Sequence, residues 1–321
     1  MILDFDKSNI SFFINKTIMI TGGSGTIGQN LIDYFLKTSC KKIIIYSRDE
    51  FKHYTLKLKY NDERLRYFIG DIRDKDRLLQ ATKNVDILIH AAALKQVDTI
   101  EYNPYEAVKT NIIGSQNIVD CCTYHNIEQL VGISTDKCVE PINMYGGTKL
   151  CMEKIILSAN IMSKNTNSII IRYGNVVGSR GSVIPNFKKQ LEKFTVTSVD
   201  MTRYTITIKE AINFIINSIC LAKGGEIFVP KLQKYCLKQL CRVINPNNKI
   251  EIIGIRPGEK MHESMISIHE TSYEYDSYYI IGNDTNITYN IDAIPKNISY
   301  SSEYAEYIKD DDLKKIIDEL K

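Results

Sequence analysis

Residues 17–28 read Thr17-Ile18-Met19-Ile20-Thr21-Gly22-Gly23-Ser24-Gly25-Thr26-Ile27-Gly28. A short apolar run stops at a glycine turn, and a helix-compatible stretch follows. Gly22 permits the turn, Gly25 lets the backbone approach a pyrophosphate, and Gly28 allows close packing of helix on strand. Amides at the helix start then face anionic phosphates. The spacing is G-x-x-G-x-x-G, and structural turns produce such triplets too. Its place between a first strand and a first helix favours a dinucleotide site built from Gly22, Ser24, Gly25, Thr26, Ile27 and Gly28.

Working outward, short β-rich runs recur at 17–21, 42–46, 66–69, 86–90, 130–134 and 168–173. Unbroken Ile/Val/Leu runs of this length suit strands covered on both faces. Segments of helix length separate them, at 27–36, 104–124 and 143–162. The alternation predicts an α/β protein with a Rossmann-type doubly wound parallel sheet. After Tyr173 the regularity falls away. A glycine-bearing loop is expected at 174–181, helices at 183–194 and 209–222, and short strands and helices over 226–267, punctuated by Pro230, Pro246 and Pro257. Residues 1–175 are therefore read as the dinucleotide-binding domain, with 204–224 packing back on it. Residues 176–321 form a smaller C-terminal substrate-binding lobe and tail, set at the carboxyl ends of the strands. The tail from Asp284 is polar and ends in a helix at 311–320.

The end of the second strand should report cofactor choice, because a carboxylate there takes a ribose diol. Here the strand runs into Ser47-Arg48-Asp49. A hydroxyl and a guanidinium suit a 2′-phosphate, which points to NADP. The competing reading makes Arg48 a surface residue and gives the ribose of NAD to Asp49. Asp71 and Ile72, after the third strand, fall near the adenine, and Ala91-Ala92-Ala93 offers small side chains where the cofactor passes.

Lys and Arg number 41 against 38 Asp and Glu, for a net charge of +3. No basic run suggests a nucleic-acid groove. The opening MILDFDKSNI lacks a basic-then-apolar leader, and no apolar stretch approaches the roughly 20 residues of a membrane span. A soluble, cytoplasmic protein is expected. Eight cysteines form no C-x-x-C pair and only five histidines accompany them, so no metal site is expected.

Ser134-Thr135-Asp136-Lys137 precedes Tyr145 and Lys149. Tyr-x-x-x-Lys at a helix start puts phenol and ammonium one turn apart on one face. A neighbouring ammonium favours the phenolate, which can take the proton of a sugar hydroxyl while hydride leaves its carbon.

Together these elements resemble the extended short-chain dehydrogenase/reductases. Within them the chain is similar to the configuration-inverting UDP-N-acetylglucosamine 4,6-dehydratases of surface-glycan biosynthesis. The likeness spans 16–265 and includes T-G-G-S-G-T-I-G, Y-S-R-D-E, A-A-A-L-K, S-T-D-K, Y-G-G-T-K, R-Y-G-N-V-V-G-S-R-G-S-V and I-R-P-G-E-K. The resemblance implies that Tyr145 removes the C4 hydroxyl proton, with Lys149 lowering its pKa and holding the nicotinamide ribose, while Thr135 bonds the C4 oxygen. Oxidation to a 4-ketone acidifies C5–H. Lys137 would take that proton and Asp136 would protonate the departing C6 hydroxyl. Hydride returns to C6 from a tightly bound, recycled NADP, and reprotonation from the opposite face gives the L-arabino 4-keto sugar. Configuration-retaining dehydratases carry Asp-Glu where this chain has Asp136-Lys137. A lysine serves as a base only if burial or the cofactor's charge depresses its pKa. Val176 is implied at the cofactor. Lys95, Thr135, Asn175, Arg180, Thr202, Arg203, Arg256 and Glu259 are implied around UDP-N-acetylglucosamine, and a homo-oligomer is implied as the assembly. Arg256–Glu259 also reads as a structural turn. The family's A-L-K-H-V-P is here Ala93-Leu94-Lys95-Gln96-Val97-Asp98, and its Y-G-A-T-K has Gly147 in place of alanine. A 4-epimerase shares many of these motifs, and a non-catalytic NADP sensor shares the fold.

Overall fold

Six strands, β1 (Thr17–Thr21), β2 (Lys42–Ser47), β3 (Leu65–Ile69), β4 (Ile87–His90), β5 (Gln129–Ile133) and β6 (Asn167–Ile171), run parallel as neighbours in one sheet. They stand in the order β3-β2-β1-β4-β5-β6 in a computed structural model that describes residues 8–179, 183–190, 192–282 and 295–320. Registers such as Ile18↔Ile43 and Ile18↔Ile87 stack isoleucines across the centre. All five residues of β1 and of β5 are buried, as helices on both faces require. The order reverses between β1 and β4, which opens a crevice at the carboxyl ends of these strands. Ile227–Pro230 continues the sheet parallel to β6. Tyr278–Ile281, Thr271–Glu274 and Pro295–Asn297 then extend it antiparallel.

Two apolar clusters underlie the architecture. The larger runs through the sheet and includes Ile18, Ile20, Leu31, Ile212, Phe214 and Ile215. The last three lie on helix Ile208–Leu221, which packs against helix Thr26–Phe35. A reciprocal cap of Thr207 and Glu210 starts that helix. The smaller cluster gathers Ile184, Phe187, Phe194, Tyr235, Leu240, Leu313 and Ile317.

Two helix expectations change. The helix expected over 183–194 stops at Lys188, and Lys193–Val196 is a strand paired in parallel with Lys249–Ile252. Gln190 turns the chain by accepting from the Thr195 amide at 2.8 Å, and Asn248 donates to the Gln190 carbonyl at 3.0 Å. The partner strand is remote in sequence, so local periodicity cannot reveal the break. The segment 104–124 is likewise not one α-helix. Pro104–Ala107 and Gly114–His125 flank a π-helical turn, Val108–Ile113. That turn aims Asn111 at the loop after β4, where it bonds the Leu94 amide and carbonyl at 2.9 and 3.0 Å. The final helix is Asp310–Asp318. Among the described residues, no helix is long and apolar enough to cross a membrane.

Candidate active site

At the carboxyl edge of the sheet lies one cleft of about 900 Å³. Its floor begins at the glycine turn. Gly22 has φ of +66°, and a Cβ there would meet the Ala91 carbonyl and Ala92 backbone at 2.9 Å. A Cβ at Gly28 would lie 2.5 Å from the Gly23 backbone, so helix and turn touch only because both are glycines. Gly25 caps helix Thr26–Phe35 without any side-chain cap bond. The first-turn amides are thus left to an anion in the cleft, and the donor set fits a dinucleotide pyrophosphate. Ser24, Thr26, Ile27, Ala91, Ala93, Ile72 and Val176 line the same cleft.

Beyond β2 the three candidate ribose residues differ in their commitments. Ser47 Oγ bonds His53 Nε2 at 2.6 Å. Asp49 caps helix Glu50–Lys59 by accepting from the Lys52 amide at 3.0 Å, and it pairs with Lys52 Nζ at 2.7 Å. Arg48 keeps an exposed guanidinium, 3.7 Å from Asp71 Oδ2. Asp71 is held chiefly by Arg73, at 2.7 Å. Burial works to raise the Asp71 pKa, but the bonds from Arg73 and the charges of Arg73 and Arg48 outweigh it and hold the carboxyl below its ordinary range.

At the far end of the cleft, Asn143 caps helix Met144–Met162 by accepting from the Gly146 amide at 2.8 Å. Tyr145 and Lys149 follow on one face, and both line the cleft. Burial pushes the Tyr145 phenol up to about 12, against the opposing charge of Lys137 and a hydrogen bond with Thr135. The ammonium acting most strongly on the phenol is therefore Lys137, where Lys149 was expected. Lys149 donates to the Ile133 carbonyl at 2.6 Å and contacts Met152 Sδ at 2.8 Å. Its burial lowers it to about 8, with Glu153 and Cys138 pulling the other way.

After β5 a 3-10 turn, Asp136–Cys138, swings Lys137 into the cleft, with Thr135 as its cap. Lys137 Nζ donates to Asp136 Oδ1 at 3.0 Å and Asn175 Oδ1 at 3.2 Å, and pairs with Glu263 Oε1 at 3.3 Å. Burial opposes its charge, but Asp136 and Glu263 outweigh it, so the ammonium is held above the ordinary lysine value. A pKa depressed by burial, the condition set for a lysine base, is not met without further charge in the cleft.

Two further residues depart from expectation. Asp136 is fully buried behind Thr135 and Lys137 and does not line the cleft. Thr202 is also turned away, bonded to His262 Nδ1 at 2.8 Å and Ser302 Oγ at 2.7 Å. The reason is strand alternation, since Thr202 and Arg203 leave opposite faces of Thr202–Ile206 and Arg203 takes the cleft side. Arg180 lies outside the described residues. Lys95, Asn175, Arg256 and Glu259 line the cleft. Arg256 and Glu259 also close a backbone turn, the Glu259 amide donating to the Arg256 carbonyl at 3.1 Å. The Gly258 carbonyl in that turn accepts from Asn143 at 2.8 Å, which docks it beside Tyr145. Glu263 was missed. Its only signal is an acid three positions past the end of I-R-P-G-E-K. Among the described residues, no group of three or more His, Cys, Asp or Glu gathers as a metal site.

A reversed-order parallel sheet, a glycine turn on its crevice and Tyr-x-x-x-Lys on the opposite wall define a short-chain dehydrogenase/reductase of the extended type. The polysaccharide biosynthesis protein family model matches residues 18–283, and the chain belongs to that family. A Campylobacter jejuni protein named UDP-N-acetylglucosamine 4,6-dehydratase (inverting) is 44% identical over 278 residues, 84% of this chain and 83% of that one. A Rickettsia bellii UDP-glucose 4-epimerase is 36% identical over 313 residues, 92% of each. The X-ray structure of Pen from Bacillus thuringiensis superposes with a TM-score of 0.90 at 37% identity, over 96% of this chain and 98% of that one.

Proposed function

We propose that the protein is a UDP-N-acetylglucosamine 4,6-dehydratase that inverts C5, with NADP as its recycled cofactor. The observation that carries this reading is the convergence of Thr135, Lys137 and Tyr145 on one wall of the dinucleotide cleft. The 44% identity of the chain to a relative named as an inverting 4,6-dehydratase supports it. The glycine turn, the helix start at Thr26, Lys149 and Arg48 would hold the dinucleotide, which when bound supplies a hydride acceptor and then a donor. Tyr145 takes the C4 hydroxyl proton, and its Thr135 bond keeps that oxygen in line. Lys137 collects the proton at C5 once the sugar carries a 4-ketone. Asp136, closed off from the cleft, serves the departing C6 hydroxyl through Thr135 and Lys137, both bonded to its Oδ1. Arg203, Arg256 and Asn175 would face the nucleotide-sugar, since guanidinium forks suit a diphosphate. In this reading the large cluster underlies the cofactor half and the small cluster the substrate half, and the assembly is a homo-oligomer.

A 4-epimerase eliminates nothing at C6 and leaves an acid–base pair at Asp136-Lys137 without a task. One reaction in heavy water separates the two. Incubation with UDP-N-acetylglucosamine should give a 4-keto-6-deoxy sugar with solvent deuterium at C5 and no net change in NADP(H), read by proton NMR and mass spectrometry. UDP-N-acetylgalactosamine as sole product overturns the proposal.

A further inference from the structure

Glu263 is a charged group in direct contact with Lys137 to which the mechanism above gives no role. It is 3% exposed, lines the cleft and sits 3.3 Å from Lys137 Nζ and 3.8 Å from Arg203 Nε. Its backbone is pinned on both sides by Ser302: the Glu263 amide donates to Ser302 Oγ at 2.9 Å, and its carbonyl accepts from the Ser302 amide at 2.7 Å. Glu263 Oε2 is buried with no hydrogen-bond partner among the described residues, and Asp136 Oδ2 across the ammonium is the same. Two buried carboxylates thus flank one ammonium, each with an oxygen unused. Leaving such oxygens bare costs stability, which a purely structural ion pair would not need to bear.

We propose that Glu263 is a positioning residue for the proton transfer at C5, holding the Lys137 amine in the cleft and setting the pH above which it is free. The proposal rests on reading Lys137 as the base at C5. In that step the C5–H bond breaks, its electron pair passes toward the 4-keto oxygen, and the proton goes to the lysine nitrogen. Among the described residues, five ionisable or charged groups face that nitrogen. They are Asp136 on its own turn, Glu263, Arg203 on Thr202–Ile206, Tyr145 on Met144–Met162, and Tyr235 on Lys234–Cys236. Asp136 and Glu263 favour the ammonium and Arg203 opposes it. Among the described residues, Glu263 is the acid that reaches Lys137 from outside its own turn, and together with Asn175, which accepts from the same nitrogen at 3.2 Å, it fixes where the long side chain points.

Glu263→Gln removes the charge and keeps the shape. The acidic limb of the pH profile for C5 deuterium exchange should then move down by at least one pH unit, a tenfold loss of proton affinity, with KM near the parent value. Glu263→Asp, which keeps the charge, should bring the limb back toward the parent. Superimposed profiles for Glu263→Gln and parent overturn the proposal. An independent readout needs no turnover: NMR titration of 13C-labelled lysine, with the Lys137 signal assigned through Lys137→Arg. In Glu263→Gln this signal should titrate at least one unit lower than in the parent. If it stays charged over the same range, Glu263 does not set the ionisation. A shifted titration in a protein that releases no 4-keto sugar would instead sink the dehydratase reading and leave the ion pair standing.

Discussion

Lys149 is 3% exposed behind Tyr145, and its nitrogen is bonded to a carbonyl and a thioether, with no carboxylate in hydrogen-bond reach among the described residues. Burial brings it from the ordinary 10.5 down to about 8. Between those values the folded chain binds fewer protons than the unfolded chain, so this residue makes stability rise with pH across that window. Its burden is fully present below pH 8 and gone above the unfolded value. The difference amounts to something on the order of 3 kcal/mol. Lys149→Met keeps the packing volume and removes the charge. Urea unfolding at several values from pH 8 to 10.5 should give a parent-minus-variant stability difference that climbs with pH. A flat difference means the ammonium is well accommodated as it stands. Buried thiols such as Cys138, raised by desolvation, work in the opposite direction but are common to both proteins. At this scale the sequence was legible where a motif names a residue type at a fixed spacing, as with Tyr145, Lys149 and Lys137. It was silent on direction. The burial of Asp136 follows from a three-residue 3-10 turn, and the outward turn of Thr202 from strand parity.

Glycines make the element scale testable, because two of them in named motifs have opposite surroundings. At Gly28 a Cβ would come within 2.5 Å of the Gly23 backbone, which has no flexible side chain to yield. Gly28→Ala should force helix Thr26–Phe35 off the turn, costing about 1–3 kcal/mol and weakening dinucleotide binding further. At Gly147, inside helix Met144–Met162, nothing lies within 4 Å of the added atom. Gly147→Ala should stabilise the protein by roughly 0.5–1 kcal/mol. Paired thermal melts check both signs, and a destabilised Gly147→Ala would mean that the open space beside it is needed. The six parallel strands were legible because each is an unbroken apolar run with helix-length sequence on either side. The strand Lys193–Val196 was not, because its partner Lys249–Ile252 is supplied from a distant part of the chain. The π turn at Val108–Ile113 was hidden for a related reason. Asn111 gains the Leu94 backbone and Thr148 as partners only once the sheet is assembled.

Across the whole molecule the cleft touches both apolar clusters, from Gly22 and Ile72 at one end to Phe187 and Leu237 at the other. A ligand filling it stabilises the folded state by mass action, by about 2.7 kcal/mol at a hundredfold excess over Kd. The size of that effect reports which dinucleotide fits. Asp49, the residue that would accept a ribose diol, already serves the Lys52 amide and ammonium. Arg48 beside it keeps an exposed fork that suits a 2′-phosphate. At equal concentration NADP should therefore raise the melting temperature more than NAD does. Arg48→Ala should shrink that difference while leaving the response to NAD nearly intact, because NAD has no phosphate for the guanidinium to bind. A larger shift with NAD would mean that Asp49 gives up its cap to take the ribose. In that case, helix Glu50–Lys59 should lose its N-terminal order when the cofactor binds, which amide hydrogen exchange over residues 50–52 would register.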